Sequence, residues 1–261
     1  MNTLEDILAS TRVELARRRR EVPLATLPTP TDRPPHAFRD ALARPGISVI
    51  AEHKRRSPSA GAIRPESNVA EIARAYEEGG AAAISVLTEG PHFNGALEDL
   101  EEAAQACSLP LLRKDFILDP YQLAEAAAVG ASAVLLIVAA LDIATLRALS
   151  SAADELSLDV LVEVHNAAEL ELAASIGAEL IGVNNRDLRD FSVDPERTFA
   201  LLEAMPPGAI VVSESGISRP EDLVRLAAAG VDGVLIGERL MRAADPAQAL
   251  RDLLEDVARA I

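Results

Sequence analysis

Eight short β-branched runs, each followed by an Ala/Leu/Glu-rich helical stretch, predict an α/β fold of the (β/α)8 barrel class with an N-terminal helical extension. Glycines recur where four of those helices give way to the next strand, in Glu78-Gly-Gly-Ala, Ala128-Val-Gly-Ala, Ser175-Ile-Gly-Ala and Ala229-Gly-Val-Asp. Such a glycine takes the left-handed conformation that stops a helix, so the recurrence marks repeated βα units. The units fill residues 46–261 of a 261-residue chain. That length suits a closed barrel of about 250 residues. The competing open, doubly wound sheet lacks support from any Gly-x-Gly-x-x-Gly turn or Gly-Lys-Ser/Thr loop.

The extension, residues 1–45, opens on Thr3-Leu-Glu-Asp, which resembles a capping box with Asp in place of Glu. Leu4, Ile7, Leu8 and Leu15 then line one apolar helix face, and the four arginines Arg17 to Arg20 read as its solvated face. Pro23, Pro28, Pro30, Pro34 and Pro35 mark a linker before a short helix over 36–43. The extension is expected to pack on the barrel near its mouth. The strands follow at 47–52, 82–87, 109–113, 133–138, 160–164, 180–183, 209–213 and 233–236.

Composition narrows the partners. With 49% hydrophobic and 25% charged residues and a net charge of −16, the chain lacks the cationic surface that draws nucleic acid. Cys107 is the only cysteine, so no internal disulfide or cysteine-cluster metal site is possible, and it reads as a small filler in a helix. No stretch approaches the roughly 18 uninterrupted apolar residues of a membrane span, and the N-terminus, with Glu5 and Asp6, does not read as a signal peptide. A cytoplasmic protein with a small-molecule partner, monomeric or weakly associating through the N-terminal helix, is the expectation.

Charged and amide side chains stand where apolar strands finish: Glu52 with Lys54, Lys114, Glu163, Asn184 with Arg186, and Glu214. Barrels of this class build their active sites from those C-terminal strand ends. Each residue also has a plain structural reading. Lys114 and Asp115 form a salt bridge, Asn184 and Asn185 shape a turn, or Glu214 pairs with Arg186. Glu163, set among aliphatic residues in Leu161-Val-Glu-Val, is expected to have a raised pKa if unpaired, which suits a general acid or base. Ser57-Pro-Ser-Ala-Gly61, Ser213-Glu-Ser-Gly-Ile217 and Ile236-Gly-Glu-Arg239 offer backbone N–H groups to an anion or are simple turns.

These residues, together with Ala51-Glu-His-Lys-Arg-Arg-Ser-Pro-Ser, Phe93-Asn-Gly-Ala-Leu-Glu-Asp-Leu100, Leu112-Arg-Lys-Asp-Phe-Ile117 and Gly182-Val-Asn-Asn-Arg-Asp-Leu188, make the chain resemble the indole-3-glycerol phosphate synthase family over nearly its whole length. The N-terminal extension matches as well. The resemblance implies ring closure of 1-(2-carboxyphenylamino)-1-deoxyribulose 5-phosphate with loss of carbon dioxide and water, and no cofactor or metal. His53, His92 and His165 lack the spacing of a metal motif, His36 lies in the extension, and His53 alternates away from Glu52 and Lys54.

By resemblance, Lys114 supplies the acid at the developing alkoxide, and Lys54, oriented by Glu52, holds the anthranilate carboxylate. Which lysine protonates which oxygen is left open. Glu163 serves as acid and base in dehydration, Asn184 binds substrate hydroxyls, Arg186 supports the carboxylate region and Glu214 stabilises a cationic intermediate. Phe93 and Phe116 line the anthranilate pocket. Ser57, Ser215, Gly216, Gly237 and Glu238 match the phosphate site. Three positions depart from the family pattern: Glu238 where some members have Ser, His53 where an apolar residue is common, and Ala96 where Ser is frequent. A carboxylate at 238 must turn outward to spare the phosphate. The loop 55–64, rich in Ser, Gly and cations, is a candidate lid. The rivals are phosphoribosylanthranilate isomerase, whose cysteine Cys107 is placed on a helix and cannot supply, and a silent ligand-binding barrel.

Overall fold

A computed structural model of the chain describes residues 4–28, 34–187 and 191–260. Thr3 of the expected capping box, Pro30 of the linker and Leu188 of the Gly182–Leu188 motif lie outside the described residues. Eight parallel strands close into one barrel in sequence order: β1 (Ser48–His53), β2 (Ala83–Leu87), β3 (Leu111–Lys114), β4 (Ala133–Ile137), β5 (Asp159–Val164), β6 (Leu180–Asn184), β7 (Ile210–Glu214) and β8 (Gly233–Ile236). Closure is made by β1 and β8, with Ser48 opposite Gly233 and Ala51 opposite Ile236. The third strand starts two residues later than expected and includes Lys114, because Pro110 cannot donate and offers only its carbonyl, to the N–H of Ile84.

The helices in chain order are α1 (Leu4–Glu21), α2 (Ala37–Leu42), α3 (Val69–Glu78), α4 (Leu97–Ala106), α5 (Pro120–Ala128), α6 (Ile143–Glu155), α7 (Ala167–Ser175), α8 (Glu196–Leu201), α9 (Pro220–Ala228), α10 (Glu238–Arg242) and α11 (Pro246–Ala260). The recurring glycines behave as expected: Gly80, Gly130, Gly177 and Gly230 have φ of 90°, 91°, 76° and 89°. A side chain there would be strained, which ties the sequence repeat to the fold.

Strand alternation divides the core in two. Ile50, Leu112, Leu135, Leu161, Val212 and Leu235 fill the barrel interior, while Val49, Ile84, Val134, Val162, Ile181 and Val234 face the helices. At the N-terminal end of the barrel, Phe38 and Leu42 of α2 join the interior cluster. The start of α2 is held by Asp159 at the head of β5, whose carboxylate accepts from the N–H groups of Phe38 (3.1 Å) and Arg39 (2.9 Å). That contact satisfies two donors that every helix N-terminus leaves open.

The first helix buries Ile7, Leu8 and Leu15, and Ile7 and Leu8 share a cluster with Phe116 beyond the end of β3. The arginine run is less uniform than its sequence suggests. Arg17 stays on the surface with Glu14 and Glu21, but Arg18 reaches inward to Glu125 of α5 (2.8 Å) and Arg19 to Asp119 (2.8 Å). The Tyr121 hydroxyl donates to the carbonyls of Val22 (2.8 Å) and Arg18 (3.3 Å). So part of the expected solvated face is a docking face, because α1 packs against α5 and the turn before it. Cys107 caps the end of α4, with its Sγ donating to the Ala103 carbonyl. No helix among the described residues is long and apolar enough to cross a membrane.

Candidate active site

All eight strands deliver their C-terminal ends to one mouth, where a cavity of about 440 Å³ opens. Every residue singled out from the sequence lines it: Glu52, Lys54, Ser57, Phe93, Lys114, Phe116, Glu163, Asn184, Arg186, Glu214, Ser215, Gly216, Gly237 and Glu238. A concave, partly apolar site with a few convergent charges is the usual form of a small-molecule pocket.

Lys114 occupies the centre. Its Nζ lies 3.0 Å from Glu163 Oε2 and 3.1 Å from Glu214 Oε2, so β3, β5 and β7 are joined across the barrel by one ammonium group. Burial disfavours that charge, but the carboxylates of Glu163, Glu214 and Glu52 outweigh it and raise the lysine pKa above its usual range. The Lys114–Asp115 bridge considered from the sequence is not formed. Successive strand residues point to opposite faces, and Asp115 instead meets Arg113 at 2.9 Å.

The two carboxylates on Lys114 differ in kind. The raised pKa expected of Glu163 if unpaired does not arise, because the carboxylate is paired. Burial does push it up, but Lys114 and His165, with hydrogen bonds from Lys114 and Asn184, pull it below the ordinary glutamate value. Glu214 behaves in the way expected of Glu163. Burial, with Glu163 and Glu52 nearby, pushes it up to about 7 against the pull of Lys114. Its Oε1 is buried without a hydrogen-bond partner among the described residues. Nor does Glu214 pair with Arg186, the other bland reading, because Arg186 turns to the Phe191 carbonyl (3.0 Å). Two titratable groups pushed in opposite directions on one ammonium are suited to separate acid and base duties.

Two glycines exist for these carboxylates. A Cβ at Gly182 would collide with Glu214 Oε1, and one at Gly237 with Glu52 Oε1. Gly237 is therefore more than a turn glycine. Glu52, only 3% exposed, accepts from Lys54 Nζ and so forms the strand-end pair expected from their i and i+2 spacing.

At the other side of the mouth, the Asn184 side chain accepts from the Arg186 N–H (3.0 Å), and its carbonyl accepts from Arg197 (3.0 Å). Asn185 is structural: its amide spans Thr198, Ser213 and the Ser215 carbonyl. That last contact holds Ser215 at φ 65°, beside Gly216 at φ 78°. Left-handed conformation at a serine costs about 1–2 kcal/mol and persists where the surroundings impose it, often at ligand sites. Glu238 opens α10 at the cavity wall, where its half-exposed carboxylate pairs with Arg242 (2.9 Å), so its charge is met by a cation.

The loop after β1 is a small hairpin in which Arg56–Ser57 pairs with Gly61–Ala62, and Ser57 Oγ accepts from the Ala60 N–H. Phe93 and Phe116 face each other with centroids 6.3 Å apart and planes tilted by 41°. Glu89 fixes the first of them by accepting from the N–H groups of His92 (2.7 Å) and Phe93 (3.0 Å). His53 turns away, as expected, to Ser67 Oγ (2.9 Å), and burial lowers its pKa to about 4.

Sequence reasoning missed three features of the site. Arg239 and Arg242 line the cavity beside the glycine loops, and Phe191 lines it near Arg186. His165 stands behind Glu163, and its spacing of two residues from that carboxylate was the signal. Among the described residues, no group of three or more His, Cys, Asp or Glu side chains is arranged to hold a metal ion.

Comparison with known proteins decides the family. Residues 4–253 match the family described as indole-3-glycerol phosphate synthase. A protein of that name from Koribacter versatilis is 49% identical over 97% of this chain and 99% of its own length, and one from Salinibacter ruber is 49% identical over 97% and 95%. The chain belongs to the indole-3-glycerol phosphate synthase family. Members of this family are carboxy-lyases of tryptophan biosynthesis. Solved structures add the fold alone. A thiamine phosphate pyrophosphorylase from Pyrococcus furiosus superposes with a TM-score of 0.63 at 21% identity, covering 82% of this chain and 97% of that one. A tryptophan synthase alpha-subunit from the same organism gives 0.59 at 16% identity, covering 81% and 98%. The fold expectation and the family resemblance read from the sequence both hold.

Proposed function

We propose that the residues at this mouth divide the family's reaction among themselves as follows, with Lys114 between Glu163 and Glu214 as the observation that carries the reading. The substrate's aminobenzoate ring lies between Phe93 and Phe116, where aromatic faces suit stacking. Its carboxylate meets Lys54 and Arg186, and Glu52 on Lys54 keeps that grip from opposing loss of carbon dioxide. Attack of the ring carbon on the ketone turns the ketone oxygen into an alkoxide. Lys114, charged at all working pH values, donates its proton there. Glu214 faces the cationic ring left by the attack.

Decarboxylation returns the bonding electrons to the ring system. Dehydration then needs a proton on the departing hydroxyl and a base for the adjacent C–H, and ionised Glu163 beside Asn184 fits that work. Phosphate is bound by backbone N–H groups at Ser215, Gly216, Gly237 and Glu238, by Ser57 Oγ, and by the charge of Arg239. The hairpin after β1 folds over the bound substrate. The protein works as a monomer in the cytoplasm on a phosphorylated small molecule.

Glu163→Gln separates the steps. Within a single turnover, carbon dioxide release is expected to continue, while formation of the indole chromophore falls about a hundredfold, the range for removing one acid–base group. Trapped carbon dioxide and indole absorbance, measured in the same reaction, check this. Equal loss of both products would place Glu163 before decarboxylation and remove its dehydration role.

A further inference from the structure

His165 is on no wall of the cavity, yet it is the only histidine among the described residues that touches the central charge cluster. It lies just past the end of β5, two residues beyond Glu163, with its side chain 10% exposed. Nε2 points at Glu163 Oε1 from 3.5 Å, long for a hydrogen bond, and has no other partner among the described residues. Nδ1 lies 3.1 Å from Glu169 Oε2. That carboxylate is itself fixed, by the His165 backbone N–H (2.8 Å) and by Asn166 Nδ2 (2.7 Å). Glu169 belongs to α7, where its side chain is 18% exposed, so the row Glu169–His165–Glu163–Lys114 runs from the outer helix layer to the centre of the mouth.

The stoichiometry requires a proton path. Ring closure puts one proton on the ketone oxygen, and dehydration puts a second on the departing hydroxyl and removes one from carbon. The substrate's carboxylate leaves as neutral carbon dioxide. Each turnover therefore takes one proton from solvent. Bound substrate fills the mouth in front of Lys114, whereas His165 reaches the same cluster from behind.

We propose that His165 is a positioning residue that relays this proton from the Glu169 side to Glu163, which passes it to Lys114. In the relay, Nε2–H breaks to protonate Glu163 Oε1, Glu163 reprotonates the Lys114 amine, and the imidazole regains a proton from solvent through Glu169. The inference rests on the assignment of Lys114 and Glu163 above. The groups facing His165 are Glu163 on β5, Glu169 on α7 and, further off, Glu214 on β7. Burial opposes the imidazolium, but these carboxylates, Glu169 first, raise its pKa above the ordinary histidine value. The imidazolium is thus favoured more than in an ordinary histidine.

His165→Ala tests this through a readout that packing alone would not move. The variant is expected to lose about tenfold in kcat with KM within twofold, and to regain activity in proportion to added imidazolium, which leaves the wild type unaffected. An alanine variant at wild-type kcat across pH 6–9, or one whose loss ignores imidazole, overturns the relay. If wild-type protein makes no indole, the assignment beneath it fails instead. A measurement independent of turnover covers a variant that does not fold. The NMR-titrated pKa of His165 is expected to fall by about one unit in Glu163→Gln. An unchanged value would show that the two groups do not communicate.

Discussion

Replacing Lys114 by methionine is expected to lower kcat about 10³-fold while KM changes no more than a few-fold, the combined scale of a lost general acid and a lost alkoxide partner. Methionine fills a similar volume without charge, so the fold is retained. The loss has two sources. The proton donor is gone, and Glu163, Glu214 and Glu52 lose the cation that offsets their mutual repulsion. Glu163 then rises toward and above the ordinary carboxylate range and is less available as a base. Lys114→Arg is expected to restore little, because a guanidinium keeps the charge between the two carboxylates but does not give up a proton. Since the Lys114 pKa is raised, its titration will not limit the rate at alkaline pH. Steady-state kinetics on the folded variants checks all three statements. A Lys114→Met enzyme within tenfold of wild type would remove the lysine from the chemistry.

The second large effect lies one residue earlier and concerns stability. Arg113, 1% exposed, points outward from β3 and spends its guanidinium on Asp115 (2.9 Å), Glu125 (3.2 Å), Thr88 Oγ1 (3.2 Å) and the Gln122 carbonyl (2.7 Å). Glu125 in turn receives Arg18 from α1, so one buried cation joins β3, α5 and the extension. Removing one partner of a buried ion cluster strands the others in low dielectric. Arg113→Met is expected to cost about 3–5 kcal/mol, read as a lower denaturant midpoint at unchanged slope. Replacing Arg113, Asp115 and Glu125 together by apolar residues should cost less than the single change, because no charge is then left unpaired. A single variant within 1 kcal/mol of wild type would contradict this account of the cluster.

These two neighbours show how far the sequence reaches. Strand count, helix stops and the strand-end placement of Glu52, Lys114, Glu163, Asn184 and Glu214 are legible, because period-2 alternation and left-handed glycines are local properties. Pairing is not local. Lys114 meets Glu163 and Glu214, 49 and 100 residues away in sequence, only because the barrel closes. Alternation alone did forbid the Lys114–Asp115 bridge, and that signal went unused. The pKa assignment failed for a related reason: Glu163 looked isolated among aliphatic neighbours, and its cationic partners come from β3 and from beyond its own strand. Arg18 and Arg19 looked solvated because nothing in their own helix shows that α5 presents Glu125 and Asp119 to them. Glu238, the departure that put the phosphate site in question, resolves through Arg242 one turn later.

The central claim is that this mouth closes an indole ring, and the chain's lack of tryptophan allows a direct test. Purified protein mixed with 1-(2-carboxyphenylamino)-1-deoxyribulose 5-phosphate is expected to develop indole fluorescence, free of any tryptophan emission from the protein, at a rate proportional to enzyme. A folded protein that binds this compound and yields no indole emission would contradict the account.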